Sequence, residues 1–170
     1  DDCNDDDPNI HPGQTETCNA IDDDCNGIAD STSICPCPVE YWPDTLHPYL
    51  FCETPGTWYD ADVACQSLDY QLVTFDSQIE LEWTTTTATS YNVNEWWLGF
   101  TDETTEGSWE WIDGSPVNYI NWCAGEPNNG HGHECYSDSE EDCAMLNWGS
   151  GGCWNDYPCY CDMPFYICEG

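Results

Sequence analysis

Oxygen-donor side chains are concentrated in one stretch of the chain, between residues 126 and 156. They are carboxylates and carboxamides, the groups that calcium prefers, whereas zinc and copper favour nitrogen and sulfur. Five of them form the principal candidate site: Glu126, Asn128, Glu141, Asn155 and Asp156. Pro127 favours a cis peptide bond, which would aim its two neighbours at one point. The pattern predicts a calcium site assembled from three separate segments.

Three motifs in this stretch resemble the calcium and sugar site of C-type lectin domains. In the family's order, they are Glu126-Pro127-Asn128, Glu141-Asp142-Cys143 and Trp154-Asn155-Asp156. Trp97-Leu98-Gly99-Phe100 is similar to the family's core strand, and Phe165–Glu169 is similar to its last strand. The resemblance extends from about residue 35 to residue 169.

The resemblance implies that one calcium ion is held by the principal site and also coordinates two neighbouring sugar hydroxyls. Carboxylates would accept hydrogen bonds from the hydroxyls, and Asn amides would donate to them. The implied sugar-binding residues are Glu126, Asn128, Glu141 and Asn155. Glu-Pro-Asn, in place of Gln-Pro-Asp, implies sugars of the mannose, fucose or glucose type over galactose. We expect the nearby Trp154 to pack in the core and not against sugar.

A second calcium site is also implied by the resemblance. Its ligands would be Asp102, Glu106, Asn129, Asp142 and the shared Glu141. The family often has Asp where Asn129 stands.

The twelve residues from 129 to 140 form a longer segment than the family commonly has at this place. The insertion could reshape the sugar pocket or hide it. It could also supply Glu134, Asp138 or Glu140 as substitute ligands. These alternatives stay open.

Residues 1–34 carry few large apolar side chains, so they need cross-links or metal ions in order to fold. Asp22–Gly27 alternates oxygen donors ahead of a glycine, as calcium loops do, and Asp2–Asp7 is a looser copy. Ser33 stands where an EF-hand needs Glu. The segment resembles the short metal-binding repeats of bacterial surface proteins, and a disordered acidic arm is the alternative. The expected ligands are Asp2, Asn4, Asp6, Asp22, Asp24, Asn26 and Asp30.

The composition is extreme, with 34 acidic residues, no lysine or arginine, and a formal net charge of −34. Without a basic patch the chain is not expected to bind nucleic acid or an anionic membrane surface. Its 14 cysteines indicate an oxidising, extracellular or cell-surface location. There is no apolar run long enough for a membrane-spanning helix. The chain starts without a leader pattern, so we expect a mature form or part of a longer protein.

The expected fold class is α+β and C-type lectin-like, with two helices, two small antiparallel sheets and a long calcium-binding loop region. It would span residues 35–170, after the segment 1–34. One helix is predicted after a Thr57 cap. A second is predicted after Ser77, with Ile79 and Trp83 facing inward. We expect the threonine run from 84 to 89 to disfavour further helix, because β-branched residues are stiff at χ1.

Three disulfides are implied by the resemblance: Cys65–Cys168, Cys143–Cys159 and Cys37–Cys52. The partners of eight cysteines stay open at this stage: Cys3, Cys18, Cys25, Cys35, Cys123, Cys135, Cys153 and Cys161.

These observations predict an extracellular carbohydrate-binding protein that uses Ca²⁺, with about two to four ions per chain. The main alternative is a structural subunit that self-assembles into a fibre or surface layer, and a third is ice binding. We expect no enzyme activity. A glycosidase needs one carboxyl with a raised pKa, whereas a bound metal would lower the pKa of these carboxyls.

Overall fold

The computed structural model describes residues 3–30, 33–130, 135, 140–146, 151–163 and 165–170. Three of the residues considered as ligands, Asp2, Glu134 and Asp138, lie outside the described residues. The helices and strands are β1 (Val39–Tyr41), β2 (Pro48–Cys52), α1 (Trp58–Gln66), β3 (Gln71–Leu72), α2 (Gln78–Tyr91), β4 (Trp96–Thr101), β5 (Glu110–Trp111), β6 (Cys143–Leu146), β7 (Trp154–Tyr157) and β8 (Phe165–Glu169). The expected α+β class with two helices is confirmed. Among the described residues, neither helix has the length and apolar character needed to cross a membrane.

Both helices begin at a hydroxyl cap, as the sequence predicts. Thr57 Oγ1 accepts from the backbone N–H of Asp60 at 3.1 Å, and the Asp60 carboxylate accepts from the backbone N–H of Thr57 at 3.1 Å. Ser77 Oγ accepts from the backbone N–H of Glu80 at 3.3 Å. These side chains satisfy backbone donors that have no partner within the first turn.

The second helix differs from the prediction in two ways. Ile79 is 68% exposed, and the helix continues through the threonine run. Its buried side chains are Leu81, Thr84 and Ala88. The hydroxyls of Thr86 and Thr89 each donate to the carbonyl oxygen four residues earlier, at 2.7 Å. Packing of this face and back-bonding of the hydroxyls outweigh the low helix propensity of β-branched residues.

The sheet has the strand order β1-β2-β8-β4-β6-β7, with β3 on β8 and β5 on β4. β4 and β8 run parallel and pair at Trp96–Phe165 and Trp97–Tyr166, whereas the other strand pairs are antiparallel. The two expected sheets are therefore joined into one by this short parallel pair.

Two cores flank the sheet, because neighbouring side chains of a strand point to opposite faces. Trp97 packs in one core, whereas Trp96 and Phe100 pack in the other. Trp154 is fully buried and stacks on Phe75 with ring centroids 5.8 Å apart. The expectation that Trp154 packs in the core is therefore confirmed.

All 14 cysteines form disulfides. The structure contains the three pairs that the resemblance implies, Cys65–Cys168, Cys143–Cys159 and Cys37–Cys52. It pairs the other eight as Cys3–Cys25, Cys18–Cys35, Cys123–Cys153 and Cys135–Cys161. The Cys135–Cys161 disulfide links the long inserted segment to the loop that precedes β8.

Gly99 lies where β4 passes close to the backbone of β3. A Cβ at this position would be 2.7 Å from the carbonyl oxygen of Leu72 and 2.8 Å from Cγ2 of Ile112. Gly99→Ala should lower the free energy of unfolding by about 1–3 kcal/mol, because a backbone atom cannot move aside as a flexible side chain can. Denaturant unfolding monitored by tryptophan fluorescence measures the change. Thr104→Ala, on an exposed loop, is the control and should change stability by less than about 0.5 kcal/mol. Equal stability of the two variants would contradict the steric argument.

Candidate functional site

Asp156 on β7 connects the third segment of the expected calcium site to the first. Its side chain is 1% exposed, and Oδ2 accepts from the backbone N–H of Asn128 at 2.9 Å and of Asn129 at 2.6 Å. The Glu126–Pro127 peptide bond is cis. The Asn128 Nδ2 group donates to Glu126 Oε2. The loop after Pro127 is therefore folded onto the end of β7.

Glu141 approaches the same loop from the start of β6. Its Oε2 accepts from the backbone N–H of Gly130 at 2.5 Å, and its own backbone N–H donates to Asn129 Oδ1 at 2.9 Å. A Cβ on Gly130 would meet Asn128 Oδ1 at 2.8 Å and Glu141 Oε2 at 2.9 Å. Side-chain oxygens of two expected ligands therefore lie where the Cβ of any other residue at position 130 would be, so only glycine fits here. Sequence reasoning missed Gly130, since a glycine after two asparagines reads simply as a loop.

Asn155 is buried beside Asp156 on β7, and its Nδ2 group donates to the Asp156 carbonyl oxygen at 2.6 Å. This contact is local to the strand and does not itself link the Asn155 side chain to the other expected ligands. The structure thus brings the three expected segments together, linked by hydrogen bonds that centre on Asp156 and Glu141.

The second expected set is adjacent to the first. The carboxylates of Asp102, Glu106 and Asp142 each place an oxygen within 4.8 Å of the others. Asn129 contacts both sets, because its Nδ2 group donates to Glu106 Oε1 at 2.9 Å while its backbone N–H donates to Asp156. The loop that carries Asn129 therefore contacts both sets of expected ligands.

Like charges in this region raise carboxyl pKa values. Burial raises the pKa of Asp142 to about 6, and Asp102 and Glu140 add to the effect. Burial also raises the pKa of Asp102, as does the nearby Glu106. The pKa of Glu126 is raised by burial and then by Asp156. With no lysine or arginine in the chain, no side-chain ammonium or guanidinium offsets this repulsion.

Two buried oxygens show that the cluster fits a hard cation. Asp102 Oδ1 and Asp156 Oδ1 have no hydrogen-bond partner among the described residues. A buried carboxylate oxygen without a partner is costly, and a divalent cation satisfies it. Carboxylates and carboxamides together are the donor set of calcium.

A third cluster lies in the N-terminal segment. Glu16, Asp22 and Asp24 place carboxylate oxygens within 4.8 Å of one another. Glu16 was not among the expected ligands, because it precedes the alternating motif and has no spacing relation to it. Its Oε1 accepts from the backbone N–H of Asp24 at 2.8 Å. Asp22 Oδ1 accepts from the backbone N–H of Asn26 at 3.0 Å.

Asp30 has a different role from the loop ligand that the sequence predicts. Its carboxylate is 2% exposed and accepts from the backbone N–H groups of Asn19 at 2.9 Å and Ala20 at 2.8 Å. The hydroxyl of Tyr70 also donates to it, and the hydroxyl of Tyr41 donates to the Asp30 carbonyl at 2.8 Å. Both oxygens of the Asp30 carboxylate therefore have N–H or O–H donors, and Asp30 attaches the N-terminal segment to the rest of the fold.

The looser upstream loop forms a simple turn in its described part. Asn4 Oδ1 accepts from the backbone N–H of Asp6 at 3.2 Å.

Comparison with known families agrees with this architecture. Residues 54–170, more than half of the chain, match the Lectin C-type domain. The chain belongs to the C-type lectin domain family. A second family model, the metal-binding motif Cu-binding MopE, matches residues 2–31.

Individual proteins are similar to this chain over most of its length. Human C-type lectin domain family 17 member A is 36% identical over 143 residues, which cover 84% of this chain and 34% of that protein. The mouse low affinity immunoglobulin epsilon Fc receptor is 35% identical, over 84% of this chain and 39% of that protein. The chain thus spans well under half the length of these two relatives.

Solved structures of C-type lectin domains are also similar. The carbohydrate-recognition domain of cow CD23, solved in the presence of a GlcNAc2Man3 oligosaccharide, superposes with a TM-score of 0.67 at 31% identity, over 80% of this chain and 95% of that chain. Herring type II antifreeze protein superposes with a TM-score of 0.65 at 28% identity, over 80% of this chain and 98% of that chain.

The raised pKa of Asp142 predicts how stability depends on pH in EDTA. A carboxyl whose pKa is about 6 in the folded chain and ordinary in the unfolded chain binds its proton more tightly when folded. Its contribution to stability is therefore present at low pH and is lost as pH rises through about 6. Lowering the pH from neutral to mildly acidic should raise the denaturation midpoint. Asp142→Asn, which resembles the protonated carboxyl, should remove part of this rise. Superimposable pH profiles for the two proteins would contradict the assigned repulsion.

Proposed function

We propose that the chain is a calcium-dependent carbohydrate-binding domain. The observation that carries the proposal is the Asp156 side chain. One of its oxygens holds the Asn128 loop, and the other is buried without a hydrogen-bond partner among the described residues. The principal calcium ligands would be Glu126, Asn128, Glu141, Asn155 and Asp156.

A bound calcium ion would coordinate two neighbouring hydroxyls of a sugar. The side chains that hold it also recognise these hydroxyls, since carboxylate oxygens accept from O–H groups and Asn amides donate to the hydroxyl oxygens. The hydrogen bond between Asn128 and Glu126 already holds a donor and an acceptor side by side. The site therefore requires vicinal hydroxyls in a particular orientation. Glu126 before the proline and Asn128 after it favour the mannose, fucose and glucose type.

The second ion would be held by Asp102, Glu106, Asn129, Glu141 and Asp142. Asp102 Oδ1 supports this, because it too is buried without a hydrogen-bond partner among the described residues. C-type lectin domains typically bind calcium. Glu16, Asp22 and Asp24 extend the proposal to the N-terminal segment, where Asn4, Asp6 and Asn26 lie on the same or the preceding loop. We place the total between about two and four ions.

The proposed setting is extracellular, because disulfides persist in oxidising compartments and seven are present. The proposed role is binding without covalent chemistry. The carboxylates of Asp102, Glu106 and Asp142 place oxygens within 4.8 Å of one another, which suits a cation, whereas a glycosidase holds its two carboxyls apart across a sugar ring.

Exchanging Glu126 for Gln together with Asn128 for Asp tests the sugar preference. The double variant swaps the donor and acceptor around Pro127 while keeping oxygen ligands for the metal. Mannose affinity should fall by about tenfold or more, the equivalent of one hydrogen bond to a charged group, and galactose affinity should rise. Calorimetric titration with each monosaccharide in calcium measures both changes, and EDTA should abolish binding in both proteins.

The double variant leaves the net charge unchanged. The control, Glu110→Gln, makes the same Glu-to-Gln replacement at an exposed position on β5, outside the site. It should leave both affinities unchanged. Mannose binding that persists in EDTA would refute the proposed role of calcium. An unchanged preference in the double variant would refute the assignment of the specificity residues.

Ice binding is a second candidate, supported by the similarity to herring type II antifreeze protein. A freezing-point depression that exceeds the melting-point change would favour it, and the lectin proposal expects none. The fibre alternative predicts calcium-dependent growth in particle size without sugar. Light scattering across a calcium titration separates that outcome from glycan binding by a chain of constant size.

A further inference from the structure

An acidic pocket lies outside the residues proposed for calcium. Its volume is about 230 Å³, and its walls include Trp42 and His47 next to β1 and β2, Glu80 on α2 and Glu169 on β8. The space equals about eight water molecules at their share of liquid volume, so it admits a small organic molecule.

Glu169 supplies the most buried carboxylate of this pocket. Its side chain is 15% exposed, and Oε2 accepts from the backbone N–H of Thr74 at 2.8 Å and from the Thr74 hydroxyl at 3.1 Å. The other oxygen, Oε1, lies 3.6 Å from His47 Nε2, which is beyond hydrogen-bond distance. His47 Nε2 is itself buried and has no hydrogen-bond partner among the described residues.

Glu80 supplies the second carboxylate. Its Oε1 accepts from the Tyr49 hydroxyl at 2.7 Å, and its Oε2 accepts from the backbone N–H of Asp76 at 3.0 Å. A carboxylate oxygen has two lone pairs, so each of these oxygens can accept another hydrogen bond. The two contacts also fix the direction in which the carboxylate faces.

The pocket has excess negative charge. Burial raises the pKa of Glu169 to about 7, and Glu80 and Asp113 add to the effect. Burial lowers the pKa of His47, which makes the neutral imidazole the prevailing form near neutral pH. The chain has no lysine or arginine that could reach the pocket. A positively charged ligand would therefore gain a strong electrostatic interaction here.

We propose that this pocket binds a small primary ammonium ion. An R–NH₃⁺ group has three N–H donors and no acceptor. The pocket offers two acceptors of the matching kind, Glu169 Oε1 and the Glu80 carboxylate, and the neutral His47 imidazole beside them adds no competing positive charge. The indole of Trp42 adds an aromatic wall, which favours cations through its ring quadrupole and also contacts the alkyl part of the ligand.

Other ligand classes suit the pocket less well. Anions are repelled by the two carboxylates. Among the described residues, the groups of three or more acidic, His or Cys side chains spaced closely enough to share one metal ion lie elsewhere. A pocket of this volume is also much larger than a single ion.

Titration of the ¹⁵N-labelled chain of 170 residues with n-butylammonium chloride at constant ionic strength tests the proposal. The expected result is saturable shifts of the Trp42 indole and His47 resonances. Two ligand controls define the chemistry. 1-Butanol has the same chain without charge, and tetramethylammonium has the charge without N–H donors. Both should bind at least about tenfold more weakly, because each lacks part of the charge-assisted hydrogen bonding.

Glu169→Gln should weaken binding of n-butylammonium by about tenfold or more, whereas Asp162→Asn removes the same charge at an exposed position outside the pocket and should leave binding unchanged. If Glu169→Gln does not fold, Glu80→Gln removes the charge of the other carboxylate of the pocket and should weaken binding as well. Shifts that never saturate, or equal losses in Glu169→Gln and Asp162→Asn, would overturn the proposal and leave only diffuse attraction to an acidic surface. Saturable zinc binding at His47 without amine binding would also overturn it.

Discussion

Buried carboxylates in a chain without lysine or arginine are the constraint on which the rest of this structure depends. Asp156 illustrates the constraint most clearly. It lies on β7, the last strand in the sheet order, and folds the loop after Pro127 by accepting from two consecutive backbone N–H groups. The same side chain has a second buried oxygen with no hydrogen-bond partner among the described residues. The Asp156 carboxylate therefore orders the loop backbone with one oxygen and has a second buried oxygen that could bind a cation. Loop geometry in this region is therefore expected to depend on cation binding.

The scaffold must tolerate this repulsion when no cation is bound. Seven disulfides restrict the unfolded chain and so favour the folded one, and aromatic side chains fill both cores. The Cys143–Cys159 bridge lies next to the proposed calcium site, because Cys143 directly follows the proposed ligands Glu141 and Asp142 and Cys159 closely follows β7. Covalent links therefore hold the strands that carry the carboxylates, while the carboxylates themselves bend the connecting loops.

Contiguous motifs could be interpreted from the sequence, and contacts between distant segments could not. The triplet around Pro127, the helix cap at Thr57 and the three disulfides common to the family are local or family-wide patterns. Gly130 escaped notice because its role depends on Asn128 and Glu141 approaching from either side, which no spacing records. Glu16 joins Asp22 and Asp24 only after the N-terminal segment folds. The predicted α2 is too short, because the prediction rests on the low helix propensity of the threonines and omits the packing of Thr84. The same helix buries Leu81 and Ala88 with Thr84, which leaves Ile79 on its exposed side.

The buried acids of this chain solve one electrostatic problem in three ways. Asp30 is surrounded by N–H and O–H donors and holds the N-terminal segment in place. Asp102 and Asp156 each keep a buried oxygen that a divalent cation can satisfy. Glu169, whose pKa burial raises to about 7, can be neutralised by a proton or by a cationic ligand, since a neutral imidazole is its nearest basic group. The difference lies in the donors within reach. Both oxygens of Asp30 have donors, whereas Asp102 and Asp156 each have one buried oxygen without a donor among the described residues, and Glu169 has one oxygen that faces its pocket. Net charge alone does not distinguish these acids, whereas the donors around each oxygen support a structural role for Asp30, the proposed metal-binding role for Asp102 and Asp156, and the proposed ligand-binding role for Glu169.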